Sequence, residues 1–243
     1  MTIHPLPLKS ISKSVGSSPV KFVKAFVITG DRNSANKLAD FTGAFDLEAR
    51  KFMKYHEIPA ECRLKVDLSK SEANRGKQVL AFIEELKSKG YRTNTLAFFC
   101  HGYTSRIELG FRIANVEDLC KSFISVKGTN AYLGVILYCC STGGGPGKDG
   151  DNGFADKLRD TLCNLGETDC IIEAHVTAGH TVNNPNKRRY MGMGSPVGGT
   201  GGIYIVAPGS KLWKKWSAAL KTDFKFKFHY MTIAQIHAYL LTL

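Results

Sequence analysis

Two short motifs in the chain combine residue types that could carry out nucleophilic chemistry. Residues 135–145 form an apolar run that ends at Cys139 and Cys140 and continues into a glycine-rich loop. His101 and Gly102 follow another apolar run earlier in the chain, and His101 lies 39 positions before Cys140. A thiol becomes a reactive thiolate at neutral pH when a base or cation lies near it, and histidine is the usual partner. The motifs predict a His–Cys pair if the fold brings the ends of the two runs together.

The elements that must position these residues alternate between strands and helices. Strands are predicted where apolar runs or period-two alternation occur, and helices where apolar residues recur at helical spacing before a glycine. The predicted strands are residues 22–28, 62–68, 95–100, 132–138 and 170–176, and the predicted helices are residues 34–55, 69–90, 115–127 and 151–165. This alternation predicts an α/β fold with a mostly parallel sheet and helices on both faces.

The two ends of the chain differ from this alternating part. Residues 1–20 are predicted to be a flexible arm, residues 21–207 the α/β domain, and residues 208–243 a basic extension packed on it. Within these limits, residues 183–202 read as a long surface loop, 203–206 as a further strand and 224–228 as an edge strand. Trp213, Trp216 and Leu220 fall on one face of a helix in the extension, with lysines around it; we expect that face to dock on the sheet, and an anionic membrane surface or nucleic acid is the alternative partner for this basic cluster.

Composition limits the functional classes. The chain is 43% apolar and 22% charged and has no run of eighteen apolar residues, so no transmembrane segment is expected. Seven cysteines without a CxxC pair, and no recognisable secretory signal, favour free thiols in a reducing, cytoplasmic compartment and argue against a structural zinc site or a cofactor. The net charge of +12 predicts attraction to polyanions. A non-enzymatic protein that binds nucleic acid, polyphosphate or an anionic membrane is therefore the alternative function.

The strand ends resemble those of the caspase-like cysteine peptidases. This group includes caspases, legumains, separases, gingipains and the self-processing protease domains of large toxins. In the group, one apolar block runs into His-Gly, and a second runs into a small residue followed by the nucleophilic cysteine. The corresponding blocks here are residues 96–102 and 135–141. The resemblance implies a caspase- or flavodoxin-like three-layer sandwich and a cysteine endopeptidase activity, which in some relatives includes self-processing.

The resemblance also implies roles for individual residues. Cys140 would be the nucleophile, His101 the general base and acid, and the backbone amides of Gly102 and Cys140 the oxyanion hole. Cys139 stands where the family carries Ala or Gly, which leaves Cys139 as an alternative nucleophile. Tyr138 stands where caspases carry a glutamine that helps to read aspartate, so a preference for aspartate is not indicated.

Partners are implied in the same way. The loop after the first strand lines the specificity pocket in several relatives. Here Arg32 in that loop would receive an acidic substrate side chain, or Asp31 a basic one, and the sequence does not choose between them. The implied partner is a peptide or protein substrate. The toxin domains are activated by inositol hexakisphosphate, so an inositol polyphosphate is a second implied partner, by analogy alone.

Two competing motifs are weaker. The glycine loop that ends at Lys148 lacks a Walker sequence, because Thr142 occupies the first glycine position and Asp149 the Ser/Thr position. His175 and His180 could bind a metal together with nearby thiols, but their spacing matches no recognised ligand pattern. We therefore predict neither a nucleotide site nor a metal site.

Overall fold

The structure is a computed structural model that describes residues 19–30, 44–128, 132–192 and 200–243. Most of the predicted arm, residues 1–20, therefore lies outside the described residues. The two candidate pocket residues, Asp31 and Arg32, also lie outside them, so the prediction about substrate preference stays a prediction.

Within the described residues the chain forms short and long strands and a series of helices. The strands are β1 (Lys21–Phe22), β2 (Phe26–Gly30), β3 (Arg63–Val66), β4 (Tyr91–Arg92), β5 (Thr95–Phe99), β6 (Gly102–Tyr103), β7 (Arg106–Ile107), β8 (Phe111–Arg112), β9 (Leu133–Tyr138), β10 (Cys170–His175), β11 (Lys187–Met191) and β12 (Ile203–Tyr204). The helices are α1 (Ala44–Tyr55), α2 (Glu72–Ser88), α3 (Val116–Ile124), α4 (Phe154–Asn164), α5 (Trp213–Ala219), α6 (Phe224–Lys227) and α7 (Ile233–Thr242).

The central sheet has the strand order β12-β11-β10-β9-β5-β2-β3. The five strands from β10 to β3 run parallel, and β11 and β12 are antiparallel at one edge. Strands β5 and β9 are buried along their whole length. Such continuous burial is expected where helices cover both faces of a parallel sheet. The prediction of a mostly parallel sheet in an α/β sandwich is confirmed.

The strand order also shows on which face each helix lies. From β2 the chain passes through α1 to β3, at one edge of the sheet. It then returns through α2 to β5, on the other side of β2, and continues in that direction through α3 to β9 and through α4 to β10. Because such crossovers are right-handed, α1 covers one face and the other three helices cover the opposite face. The connection that leaves β2 and the connection that leaves the neighbouring strand β5 run towards opposite edges of the sheet. Ligands of open α/β sheets bind outside the carboxyl ends of strands at this kind of switch point.

The C-terminal segment packs on the α1 side and has a small core of its own. Phe226 of α6 lies 5.7 Å from Phe52 of α1, measured between ring centroids. Trp216 and Leu220 are fully buried in a second apolar cluster with α7, and the indole N–H of Trp216 donates to the carbonyl of Pro185 at 2.9 Å. The tryptophan-bearing face of α5 is turned inward, as predicted, although it packs on this second cluster rather than on the sheet.

Two predicted elements are wrong. The predicted loop 183–202 contains β11. This segment is polar, but it lies in the interior because Arg189 is buried against the carboxylate of Glu173 on the neighbouring strand. The predicted edge strand 224–228 is helical, consisting of α6 and a short 3₁₀ turn. Its alternation does not separate an inner face from an outer one, since Lys225 is buried between the phenylalanines and pairs with Glu48 at 3.3 Å.

No helix among the described residues is both long enough and apolar enough to cross a membrane.

Candidate active site

The two motifs meet at the carboxyl edge of the central sheet. β5 and β9 are neighbouring parallel strands, and Phe99 is in register with Tyr138 at their last paired position. One residue further on, the sulfur atoms of Cys100 and Cys139 are 3.3 Å apart. The residues that follow each strand, His101 after β5 and Cys140 after β9, therefore leave the sheet at neighbouring strand ends, and neighbouring strands lie about 4.8 Å apart.

Alternation along the strands determines which side chains share a face. Phe99 and Tyr138 stack at 4.5 Å on the α1 side of the sheet, where both also contact Phe52. The ring of His101 lies on that side too, since it packs edge-on against Phe45 of α1 at 5.0 Å. Cys100 and Cys139 are fully buried. Side chains one position apart on a strand point to opposite faces, so this cysteine pair lies under the α2–α4 layer.

A small antiparallel sheet holds the backbone of His101. The chain turns directly after His101 into the strands β6, β7 and β8. The N–H of His101 donates to the carboxylate of Glu108 at 2.8 Å, and its carbonyl accepts the N–H of Glu108 at 3.1 Å. These two bonds fix the orientation of the His-Gly segment at the strand end.

Gly102 lies directly against the cysteine-bearing turn. A Cβ atom at this position would be 2.7 Å from the Cβ of Cys139, 2.7 Å from the Cγ2 of Thr142 and 2.8 Å from the carbonyl oxygen of Cys140. Carbon atoms in contact normally stay about 3.5–4.0 Å apart. The two motifs are therefore packed against each other at van der Waals distance, and this packing leaves no room for a side chain at position 102.

We expect Gly102→Ala to destabilise the fold by about 1–3 kcal/mol, because the added methyl group overpacks a backbone contact that cannot move independently. Urea unfolding at neutral pH measures the change. Gly134→Ala is the matched control, because the nearest atom to a Cβ on this buried strand glycine is 3.5 Å away, an ordinary contact. Equal stability losses in the two variants would contradict the close packing of the motifs.

Cys140 differs from every other cysteine of the chain in exposure. Cys140 is half-buried, whereas the other six are buried: Cys62, Cys100, Cys120, Cys139, Cys163 and Cys170. Its Sγ faces the carbonyl of Gly179 at 3.9 Å, at the limit of an S–H···O contact. Cys139 points instead into the core, where its Sγ is 3.7 Å from the carbonyl of Phe98. Burial also raises the pKa of Cys62 and of Cys120 to about 12, which suppresses their thiolate forms.

Iodoacetamide is expected to alkylate Cys140 in the native protein and the remaining cysteines only after unfolding, because reaction requires both access and a thiolate. Peptide mapping by mass spectrometry after brief labelling at neutral pH locates the modified residue. Cys140→Ala should remove all native-state labelling. Native-state labelling at Cys139 would show that the buried orientation of this side chain is wrong.

The glycine loop after Cys140 serves packing and does not present a phosphate cradle. Ser141 adopts a left-handed backbone conformation with φ of 59°, which turns the chain sharply after the strand. The N–H of Gly143 donates to the carbonyl of His175 at 2.7 Å. The first N–H groups of α4 are used as well, since those of Phe154 and Ala155 donate to protein carbonyls at 2.8 and 3.2 Å. A helix N-terminus binds anions through unpaired N–H groups, and these two are paired.

The loop after β10 lies beside Cys140, and sequence reasoning missed it as part of the site. Gly179 in this loop is the residue that faces Cys140. The amide of Asn184 donates to the carbonyl of Thr177 at 2.9 Å and so closes the loop. His180, considered above only as a metal ligand, accepts the N–H groups of Val182 and its neighbour through Nδ1. The rule that sites lie at the carboxyl ends of parallel strands could have indicated this loop, because β10 adjoins β9.

Phe45 and Glu108 were also missed, and here the sequence carries no signal. Their positions beside His101 depend on the packing of α1 and on the turn geometry of β6–β8. Among the described residues, no group of three or more His, Cys, Asp or Glu side chains is close enough to hold a metal ion.

Comparison of the chain with protein-family models, with curated proteins and with solved structures gives no match. A functional assignment therefore depends on the residues and the topology described above.

Proposed function

We propose that this protein is a cysteine endopeptidase of the caspase-like type, with His101 and Cys140 as its catalytic dyad. The observation that carries the proposal is the register of β5 and β9, which brings the His-Gly end of one strand level with the cysteine end of the next. The adjoining switch point of the sheet is where α/β folds bind ligands. Cys140 is favoured over Cys139 because Cys139 is fully buried.

The reaction follows from these positions. His101 takes the proton of the Cys140 thiol, and the sulfur attacks the carbonyl carbon of the scissile peptide. The negative charge that develops on the carbonyl oxygen is stabilised by the backbone N–H groups of Gly102 and Cys140. His101 then gives the proton to the leaving amine, which leaves a thioester on Cys140. A water molecule, deprotonated by His101, attacks the thioester and releases the carboxylic acid and the free thiol.

The proposal is tested by incubating the purified protein with a complex peptide library and identifying new termini by mass spectrometry. Cleavage is expected at neutral pH, with loss of activity after iodoacetamide treatment and no loss with a chelator, since no proposed step uses a metal. A purified, folded protein that produces no new termini in the library would argue against an endopeptidase. Cleavage that survives complete alkylation of Cys140 would exclude the thiol mechanism.

A further inference from the structure

The positive charge of the chain is concentrated in its last part. Residues 174–243 contain nine Lys and Arg residues and a single carboxylate, Asp223. This part therefore carries a net charge of +8 out of +12 for the whole chain. Three of the nine cations, Lys187, Arg189 and Lys225, are buried in the interior, so the positive charge that solvent can reach comes from the other six.

Three of the remaining cations form a row on the outside of the C-terminal segment. Lys211, Lys214 and Lys221 are exposed; Lys214 lies in α5, and Lys211 and Lys221 lie in the turns just before and just after it. The flanking residues Leu212 and Leu220 also have helical backbone angles, so separations of three and seven positions leave the three lysines on roughly one side. Trp216 and Leu220, on the opposite side, are fully buried. We call these three residues the lysine stripe; it spans about 15 Å, at 1.5 Å per residue.

No ion pair among the described residues involves the lysine stripe, whereas three exposed lysines elsewhere each have a carboxylate partner. Lys70 pairs with Asp67, Lys89 with Glu85, and Lys121 with Glu117, each within one helical turn or tight bend. An uncompensated row of cations along one surface produces a positive potential that attracts a polyanion.

We propose that the lysine stripe binds the phosphate backbone of double-stranded nucleic acid without sequence preference. Over about 15 Å of its axis a duplex presents roughly nine phosphates, which is ample for three lysines. Trp216 is buried and Trp213 is partly buried against the same cluster, so most of the indole surface beside the stripe is used within the protein and is not available to stack on unpaired bases. The apolar side of α5 is likewise used within the protein and cannot insert into a bilayer.

The lysine composition of the stripe is consistent with binding that does not read sequence. Base edges are recognised mainly by bidentate side chains such as arginine, whereas an ammonium group acts as a point charge. Residues 190–243 contain no arginine. The inferred binding does not depend on the proposed peptidase activity.

The test is fluorescence anisotropy of a short labelled DNA duplex with the full chain in a salt series. Binding is expected, and log K should fall against log salt with a slope of about −3 for three neutralised phosphates. The variant Lys211→Gln/Lys214→Gln/Lys221→Gln is expected to lose affinity about tenfold or more at low salt. Lys70→Gln/Lys89→Gln/Lys121→Gln removes the same charge from paired positions and is expected to bind almost as well as the unmodified protein.

Three results would overturn the proposal. Equal losses in the two triple variants would show that binding follows net charge and not the stripe. Stripe-dependent binding to vesicles containing phosphatidylserine, without binding to the duplex, would assign the surface to a membrane. Absence of binding to either probe, with unfolding transitions unchanged, would leave the stripe without a polyanionic partner.

Discussion

Cys140→Ala is expected to abolish peptide cleavage while leaving the fold intact. The sulfur at position 140 is the nucleophile of the proposed mechanism, and a methyl group cannot replace it. Loss of a catalytic nucleophile typically lowers kcat by a factor of about a thousand or more. Because Cys140 is only half-buried, its replacement creates little cavity and the thermal unfolding transition should hardly move. Initial rates on a peptide identified from the library, together with thermal unfolding, measure both effects.

His101→Ala should have a loss of similar size, and the double variant should be no worse than either single variant. Residues that act as one catalytic unit are strongly non-additive, because removing either partner already disables the step. If the two residues contributed independently, the factors by which their substitutions lower the rate would multiply in the double variant. A double variant that is much slower than both single variants would show that His101 and Cys140 act independently.

Cys139→Ala provides the matched control, since it removes the neighbouring thiol from the same turn. This side chain packs against Cys100 in the core, so we expect a modest loss of stability and retention of activity. An inactive but folded Cys139→Ala variant, together with an active Cys140→Ala variant, would transfer the nucleophile to position 139.

The central sheet can be predicted from the sequence because its parallel strands are apolar without interruption. Leu133–Tyr138 and Thr95–Phe99 are buried throughout, and burial on both faces produces such a continuous run. Two adjacent strand ends then follow from the general topology of parallel sheets. The sequence alone does not supply the register, and the register is what places the ends of β5 and β9, from which the His101 and Cys140 segments continue, side by side.

The elements that sequence patterns miss are those whose polar residues are buried by specific partners. β11 contains Lys187 and Arg189, which a periodicity argument assigns to the surface. In the structure Arg189 donates to Glu173, and Lys187 contacts His175, on the neighbouring strand. Burial favours the neutral form of Lys187 and lowers its pKa to about 7. Such pairs become visible only when the strands are aligned.

Glu173 lies at the centre of a buried polar network that joins the sheet to the C-terminal segment. Its carboxylate accepts from Arg189 of β11 and from Nδ1 of His229, and the other ring nitrogen of His229 contacts the hydroxyl of Tyr138. Arg189 also donates to the carbonyl of Met231 at 2.7 Å. Both members of the Glu173–Arg189 pair are at least 96% buried. The carboxylate thus compensates a charge that has no access to water.

Glu173→Gln is expected to lower the free energy of unfolding by about 3–5 kcal/mol at neutral pH, because it leaves the buried guanidinium of Arg189 without an opposite charge. In Glu173→Gln the amide N–H groups would face the Nδ1–H of His229, so two donors would meet. The imidazole relieves this conflict only if its proton moves to the other ring nitrogen, which then no longer accepts a hydrogen bond from Tyr138. Urea unfolding measures the loss. Glu117→Gln is the matched control: it removes the same charge from an exposed pair with Lys121, whose interaction is screened by solvent.

The stability difference between the unmodified protein and Glu173→Gln should depend on pH in a defined direction. Burial by itself would raise the pKa of Glu173, but Arg189 and His229 outweigh it and lower the pKa from 4.5 to about 2. A carboxylate with a lowered pKa contributes its full stabilisation above the unfolded value and loses it as the pH falls towards the folded value. The difference should therefore be constant down to about pH 5 and shrink as the pH falls from about 4.5 towards 2. A difference that stays constant to about pH 3 would show that packing, and not charge, makes Glu173 necessary, because only the charge disappears on protonation.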